Sequence, residues 1–285
     1  IVAGVALVAV AAVGAAAWVL TGEEDPSAAA CAALPEADQM GCFEPYFTAA
    51  AGAGRTKDVL GELHALFEAG RVDDCHMLAH HFGHLAFPVH ANLTVAMRAG
   101  DARCNGGYYH GSVEAALAPG GGGAHQHHHG AQAANATAPD VAGLCAPLRA
   151  DPGVVYLECV HGMGHGLMYL HGHNVTRSLP GCDGFAKPVE RGYCQDGVFM
   201  ENVLQHDALD DEAYAAKLPT VCDGLALRSS LMTMCYRNIG EVATMHFRHD
   251  LARAEAICAK LATASARSAC VDGARDEVEN LEHTR

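Results

Sequence analysis

The sequence predicts an all-α protein: a disulfide-stapled array of about six helical hairpins, forming a solenoid or an α/α toroid after an N-terminal transmembrane or signal helix. Three observations carry this reading. The twelve cysteines fall into six regularly spaced pairs, the residues that follow each cysteine recur, and residues 1–20 carry no charge.

The pairs are Cys31 with Cys42, Cys75 with Cys104, Cys145 with Cys159, Cys182 with Cys194, Cys222 with Cys235, and Cys258 with Cys270. Five of the six gaps are 11 to 14 residues long. Every first cysteine is followed at the third position by Leu or Phe, as in CAAL, CHML and CDGF. Four of the six second cysteines are followed there by Gly, and the other two by Pro45 and Asn238. From Cys145 onward the first cysteines recur after 37, 40 and 36 residues, the length of a two-helix repeat. Each unit then reads as a short helix beginning near its first cysteine, a turn, and a longer helix beginning near its second. Pro152, Pro180 and Pro219 sit where helices should start or stop. One disulfide within each hairpin is the economical connectivity, although twelve cysteines permit many others; free thiols forming a thiolate metal site are the alternative.

Taken in order, the chain opens with IVAGVALVAVAAVGAAAWVL, just long enough to span a bilayer as a helix. Ala15-Ala16-Ala17 also fits a signal-peptidase site, so residues 1–22 read as either an anchor or a signal peptide. Membrane contact is expected through residues 1–20. Residues 23–285 then form a lumenal or extracellular helical-repeat domain. The even cysteine count suits an oxidising compartment. Sequons at Asn92, Asn135 and Asn174 exceed the roughly 0.4 that chance gives for this composition, which points to a glycoprotein. The formal charge of −15, from 18 basic and 33 acidic residues, argues against a nucleic-acid partner, because that affinity comes from clustered Lys and Arg. Protein partners remain open.

The second unit breaks the rhythm, with its cysteines 29 residues apart. The intervening stretch begins CHMLAHHFGH and places His76, His80 and His84 four apart, on one helix face. Residues 119–139 follow, a Gly/His-rich segment that cannot pack a core and reads as a flexible loop; its His125, His127, His128 and His129 are expected to be low complexity or a metal scavenger.

Alignment on the second cysteine puts positions two, six and ten residues later on one helix face. These are Gly106, His110 and Glu114 in unit two, then His161, His165 and Tyr169 in unit three. Units four and five give Asp196, Met200 and Leu204, then Arg237, Glu241 and Met245. The expected metal ligands are His76, His80, His84, His110, His161 and His165, since neutral imidazoles suit zinc first, and copper or iron otherwise. Glu114 and Glu201 are the candidate catalytic carboxylates: Glu114 as ligand or general base beside a metal-bound water, and Glu201, like Glu241, as a further carboxylate or as the acceptor of a ligand His N–H. Tyr108, Tyr109 and Tyr169 are expected to pack, Arg237 to pair with Glu241 along one helix, and the terminal DGARDEVENLEH stretch to be a solvated cap. HExxH, GxSxG, GxxxxGK and CxxCH are all absent. Three functions fit: a metal-dependent hydrolase or oxidoreductase with its site between units two and three, a non-catalytic scaffold or membrane-complex subunit, or a metal-sequestering protein.

Overall fold

The computed structural model describes residues 27–117 and 140–284. The apolar stretch 1–20 and all of residues 119–139, with their four histidines and the Asn135 sequon, lie outside them. Among the described residues every regular element is helical, and no helix is long and apolar enough to cross a membrane. The chain runs through α1 (Ala28–Cys31), α2 (Glu36–Gly52), α3 (Thr56–Glu68), α4 (Cys75–His90), α5 (Leu93–Ala99), α6 (Gly107–Leu117) and α7 (Val141–Cys145). It continues through α8 (Val155–Leu170), α9 (Val175–Ser178), α10 (Pro188–Leu204), α11 (Asp211–Lys217), α12 (Ser229–His246), α13 (Leu251–Cys258) and α14 (Ala264–Thr284).

All six expected disulfides are present, and no cysteine among the described residues is free. A thiolate metal site is thereby ruled out, because each sulfur is already bonded to another. The helix boundaries differ from expectation. Short helices end at Cys31, Cys145 and Cys258 instead of starting there, and the second cysteines other than Cys104 lie inside long helices that begin several residues earlier. Caps explain part of this shift. Asp140 accepts from the Gly143 N–H and Asp250 from the Arg253 N–H, so each short helix is nucleated well before its cysteine. Pro188 similarly opens α10, where its missing N–H costs nothing.

The recurrent glycine three residues after the second cysteine has a packing role. A β-carbon at Gly107 would lie 2.3 Å from the carbonyl oxygen of His76, one at Gly197 2.1 Å from that of His161, and one at Gly273 2.0 Å from that of Arg237. Real Cβ atoms do not come this close to backbone oxygen, so α6 on α4, α10 on α8, and α14 on α12 each meet backbone to backbone. His76, His161 and Arg237 therefore hold matching places. The inserted His76/His80 pair thus matches His161/His165, a register that alignment on the second cysteine did not show. Gly197→Ala is expected to force α8 and α10 apart and to cost about 1–3 kcal/mol, the usual range for overpacking a filled core; thermal unfolding with and without the substitution measures it.

Helices α4, α6, α8, α10, α12 and α14 pack in sequence. The C-terminal pair also meets the start of the array. Asn105 donates to Glu277 at 3.2 Å, Arg248 reaches Asp73 at 2.5 Å, and the Phe67 ring lies 5.8 Å from that of His249. Two expectations fail here. Glu277, in the segment read as solvated, is only 3% exposed. Arg237 bonds Asp276 on the neighbouring helix, because the close pass at Gly273 brings that carboxylate within reach.

Away from this seam, His246 stacks on Tyr214 with ring centres 3.7 Å apart. Its Nδ1 lies 2.6 Å from Asp207 and its Nε2 3.2 Å from Asp211, which also pairs with Arg253. Burial opposes its protonation, yet the hydrogen bonds and charges of the two aspartates outweigh burial and raise its pKa. Stability from this group is therefore full below its unfolded pKa of about 6.5 and lost as pH rises through the raised folded value. The melting-temperature gap between the wild type and His246→Asn should shrink from pH 6 to pH 9.

Candidate metal centre

The site forms where α4, α6, α8 and α10 pass closest. Glycines on α8 face alternate neighbours. A β-carbon at Gly162 or Gly166 would strike Val113 or Leu117 on α6, at 2.9 and 2.4 Å, whereas one at Gly164 would lie 2.1 Å from the Cys194 carbonyl on α10. Helices α6 and α10 are thus pressed onto α8 from two sides. Glu114 and Glu201 arrive beside His165 as a result.

His165 Nδ1 lies 3.1 Å from Glu201 Oε2 and 3.5 Å from Glu114 Oε1, with no part of its side chain exposed. Its Nε2 lies 3.1 Å from His161 Nε2. The His110 ring stacks on that of His165 at 4.6 Å and sits 4.8 Å from that of His161. Glu114, itself fully buried, also takes His80 Nε2 at 3.0 Å on one oxygen and His84 Nε2 at 2.8 Å on the other. On the far side, Glu201 Oε1 lies 3.4 Å from His173 Nδ1.

The protonation pattern follows from these neighbours. Burial and mutual repulsion hold His110 and His161 well below the ordinary imidazole range, so both keep a free lone pair at neutral pH. Burial would also strip His165 of its proton, but hydrogen bonds to Glu114 and Glu201 prevail and push it up to about 9. Burial opposes ionisation of Glu114 as well. The His80 charge and hydrogen bonds from His165, His80 and His84 overcome it and hold that carboxyl well below the usual range.

Five of the six expected ligands join donor groups whose atoms lie within 4.8 Å of one another: His110, His161 and His165 form one group, and His80 and His84 with Glu114 another. The candidate catalytic pair, Glu114 and Glu201, shares a third group with His165. His76 belongs to none of these. Its Nδ1 donates to the Cys104 and Asn105 carbonyls at 3.2 and 3.1 Å. Those two residues and Gly106 have left-handed backbones, with φ of 56°, 51° and 71°, so His76 secures the strained entry to α6.

Three contributors were not among the expected ligands, although spacing had placed one of them, Asp196, on the aligned stripe. Glu158 Oε2 lies 3.4 Å from His110 Nε2, and Asp196 Oδ2 lies 3.6 Å from His161 Nδ1. These two carboxylates are the accessible ones, with side chains 26% and 33% exposed. Enclosure pushes Glu158 up to about 7. Its helical spacing from His161 and His165, three and seven residues, would have revealed it. His173 gives no such signal, because it lies past the end of α8 in a left-handed turn. Tyr108 and Tyr109 pack as expected, while Tyr169 bridges His84 and His173.

The donor set fits a transition metal. Two nitrogens held about 2.0–2.1 Å from zinc at a tetrahedral angle lie about 3.3 Å apart, close to the spacing of the two facing Nε2 atoms. His110 adds a second indication. Its Nδ1 is buried without a hydrogen-bond partner, and its Nε2 has only the 3.4 Å approach of Glu158, which makes no hydrogen bond, although a neutral imidazole always carries one N–H that should have one. No protein-family model, no curated protein and no solved structure matches this chain, and the side-chain geometry therefore carries the functional argument.

Proposed function

We propose that this chain is an exported metalloprotein whose transition-metal centre is formed by His110, His161 and His165. The observation that carries the reading is the buried His161–His165 Nε2 contact at 3.1 Å, capped by the His110 imidazole, whose buried Nδ1 has no hydrogen-bond partner. Glu201 and Glu114 act on His165 Nδ1, fixing its tautomer and turning Nε2 toward the ion. That role differs from the general-base catalysis expected of them. Zinc is the first choice for an all-imidazole set, with copper or iron as alternatives. The six disulfides point to an extracellular or lumenal setting. Sequon residues Asn92 and Asn174 are exposed, which suits a glycoprotein. The matched helix pairs and the return of α14 to the α4 entry support a closed helical array over a solenoid.

Among reactions, metal-assisted hydrolysis suits the geometry best, with Glu158 as the accessible carboxylate beside the imidazoles. A pure protein-binding scaffold would have no use for convergent, desolvated imidazoles. Cobalt(II) titration of the chelator-treated protein tests the centre. The wild type should develop visible absorption, and His161→Ala should weaken binding by more than the roughly 10- to 100-fold lost when only an outer hydrogen-bond partner is removed. Equal titrations of the two proteins would refute the centre.

A further inference from the structure

The imidazole triad uses only part of the buried cluster. His80, His84 and Glu114 form a second group with a different donor set, two imidazoles and a carboxylate. Its three side chains come from two helices fixed by backbone contact, since a β-carbon at Gly111 would lie 1.9 Å from the His80 carbonyl oxygen. Both carboxylate oxygens are engaged, at 3.0 Å by His80 Nε2 and at 2.8 Å by His84 Nε2. Donors about 2.1 Å from one ion and at right angles to each other lie about 3.0 Å apart, so these spacings match an ion seated among the three. The buried Nδ1 of His84 has no hydrogen-bond partner.

The two groups touch through one ring. His165 presents Nε2 to the triad and Nδ1 to Glu114 and Glu201. Both of those carboxylates are buried, at 0% and 4% exposure. Two carboxylates need two positive charges where water cannot reach them. A divalent cation seated among His80, His84 and Glu114 supplies positive charge directly beside the buried Glu114 carboxylate.

We propose that the cluster is built for two divalent cations: one at His110, His161 and His165, and a second, of a class that accepts mixed nitrogen and oxygen donors, at His80, His84 and Glu114. This inference rests on the metalloprotein reading above. The mixed set suits iron(II), manganese(II) or cobalt(II) better than an all-imidazole set does.

Cobalt(II) stoichiometry decides it. The full chain, disulfides intact and carrying His125→Ala, His127→Ala, His128→Ala and His129→Ala to silence the 119–139 segment, is stripped with chelator, dialysed against cobalt(II) and assayed for bound metal. Two equivalents are expected, falling to one in both His80→Ala/His84→Ala and His110→Ala/His161→Ala. One equivalent in the parent overturns the second site and leaves the metal centre standing, and zero removes both. Two equivalents that survive His80→Ala/His84→Ala also overturn it. The parent count alone is decisive if a variant fails to fold, and far-UV circular dichroism identifies that case.

Discussion

Reducing the disulfides is expected to unfold the protein outright. Five of the six bridges close loops of 11 to 14 residues and the sixth one of 29. Loop-closure entropy values each at about 3 kcal/mol. Together they approach 20 kcal/mol, more than the roughly 5–15 kcal/mol by which a typical domain is stable. The helices cannot compensate, because their packing depends on glycine-rich faces that form poor isolated helices. Reductant at neutral pH should therefore abolish cooperative thermal unfolding and most of the far-UV helical signal. A reduced chain that still melts cooperatively would show that the core, and not the bridges, holds the fold.

Glu114→Leu is expected to be the most damaging single substitution in the cluster. The carboxylate has no exposed surface and takes contacts from His80, His84 and His165. Removing one partner of a buried ionic group typically costs about 3–5 kcal/mol, because the remaining charges stay desolvated. A surface control separates this from the general effect of losing a charge. Glu255 pairs with Arg275 at 3.0 Å where both side chains are exposed, and Glu255→Leu should cost less than about 1 kcal/mol. Urea unfolding of both variants, each stripped of metal, compares them directly. If Glu114→Leu were as mild as the control, the cluster would not be an ionic network.

The legible parts of this protein were those with a covalent or periodic signature. Disulfide pairing could be read from intervals and flanking residues, and the convergence of His110, His161 and His165 from helical spacing. Helix starts were not, because caps such as Asp140 and Asp250 act locally and are independent of the cysteine rhythm. The equivalence of His76/His80 with His161/His165 was hidden by the long interval between Cys75 and Cys104, and it emerges only through the carbonyls that Gly107 and Gly197 approach. Glu277 looked like surface because its segment is rich in charge. Its burial depends on Asn105 and His249, which are distant in sequence. Glu201 was visible as a carboxylate able to accept a His N–H, but the identity of its partner, His165, required the α8–α10 contact.

Elemental analysis of the disulfide-intact protein, as purified and after reconstitution, tests the central claim most directly. The account predicts at least one equivalent of a transition metal in the wild type and its loss in His110→Ala/His165→Ala, with the helical circular dichroism signal retained. A folded wild-type protein that stays metal-free after reconstitution with zinc, copper and iron would contradict it. The buried imidazoles and carboxylates would then be a proton-neutralised structural core.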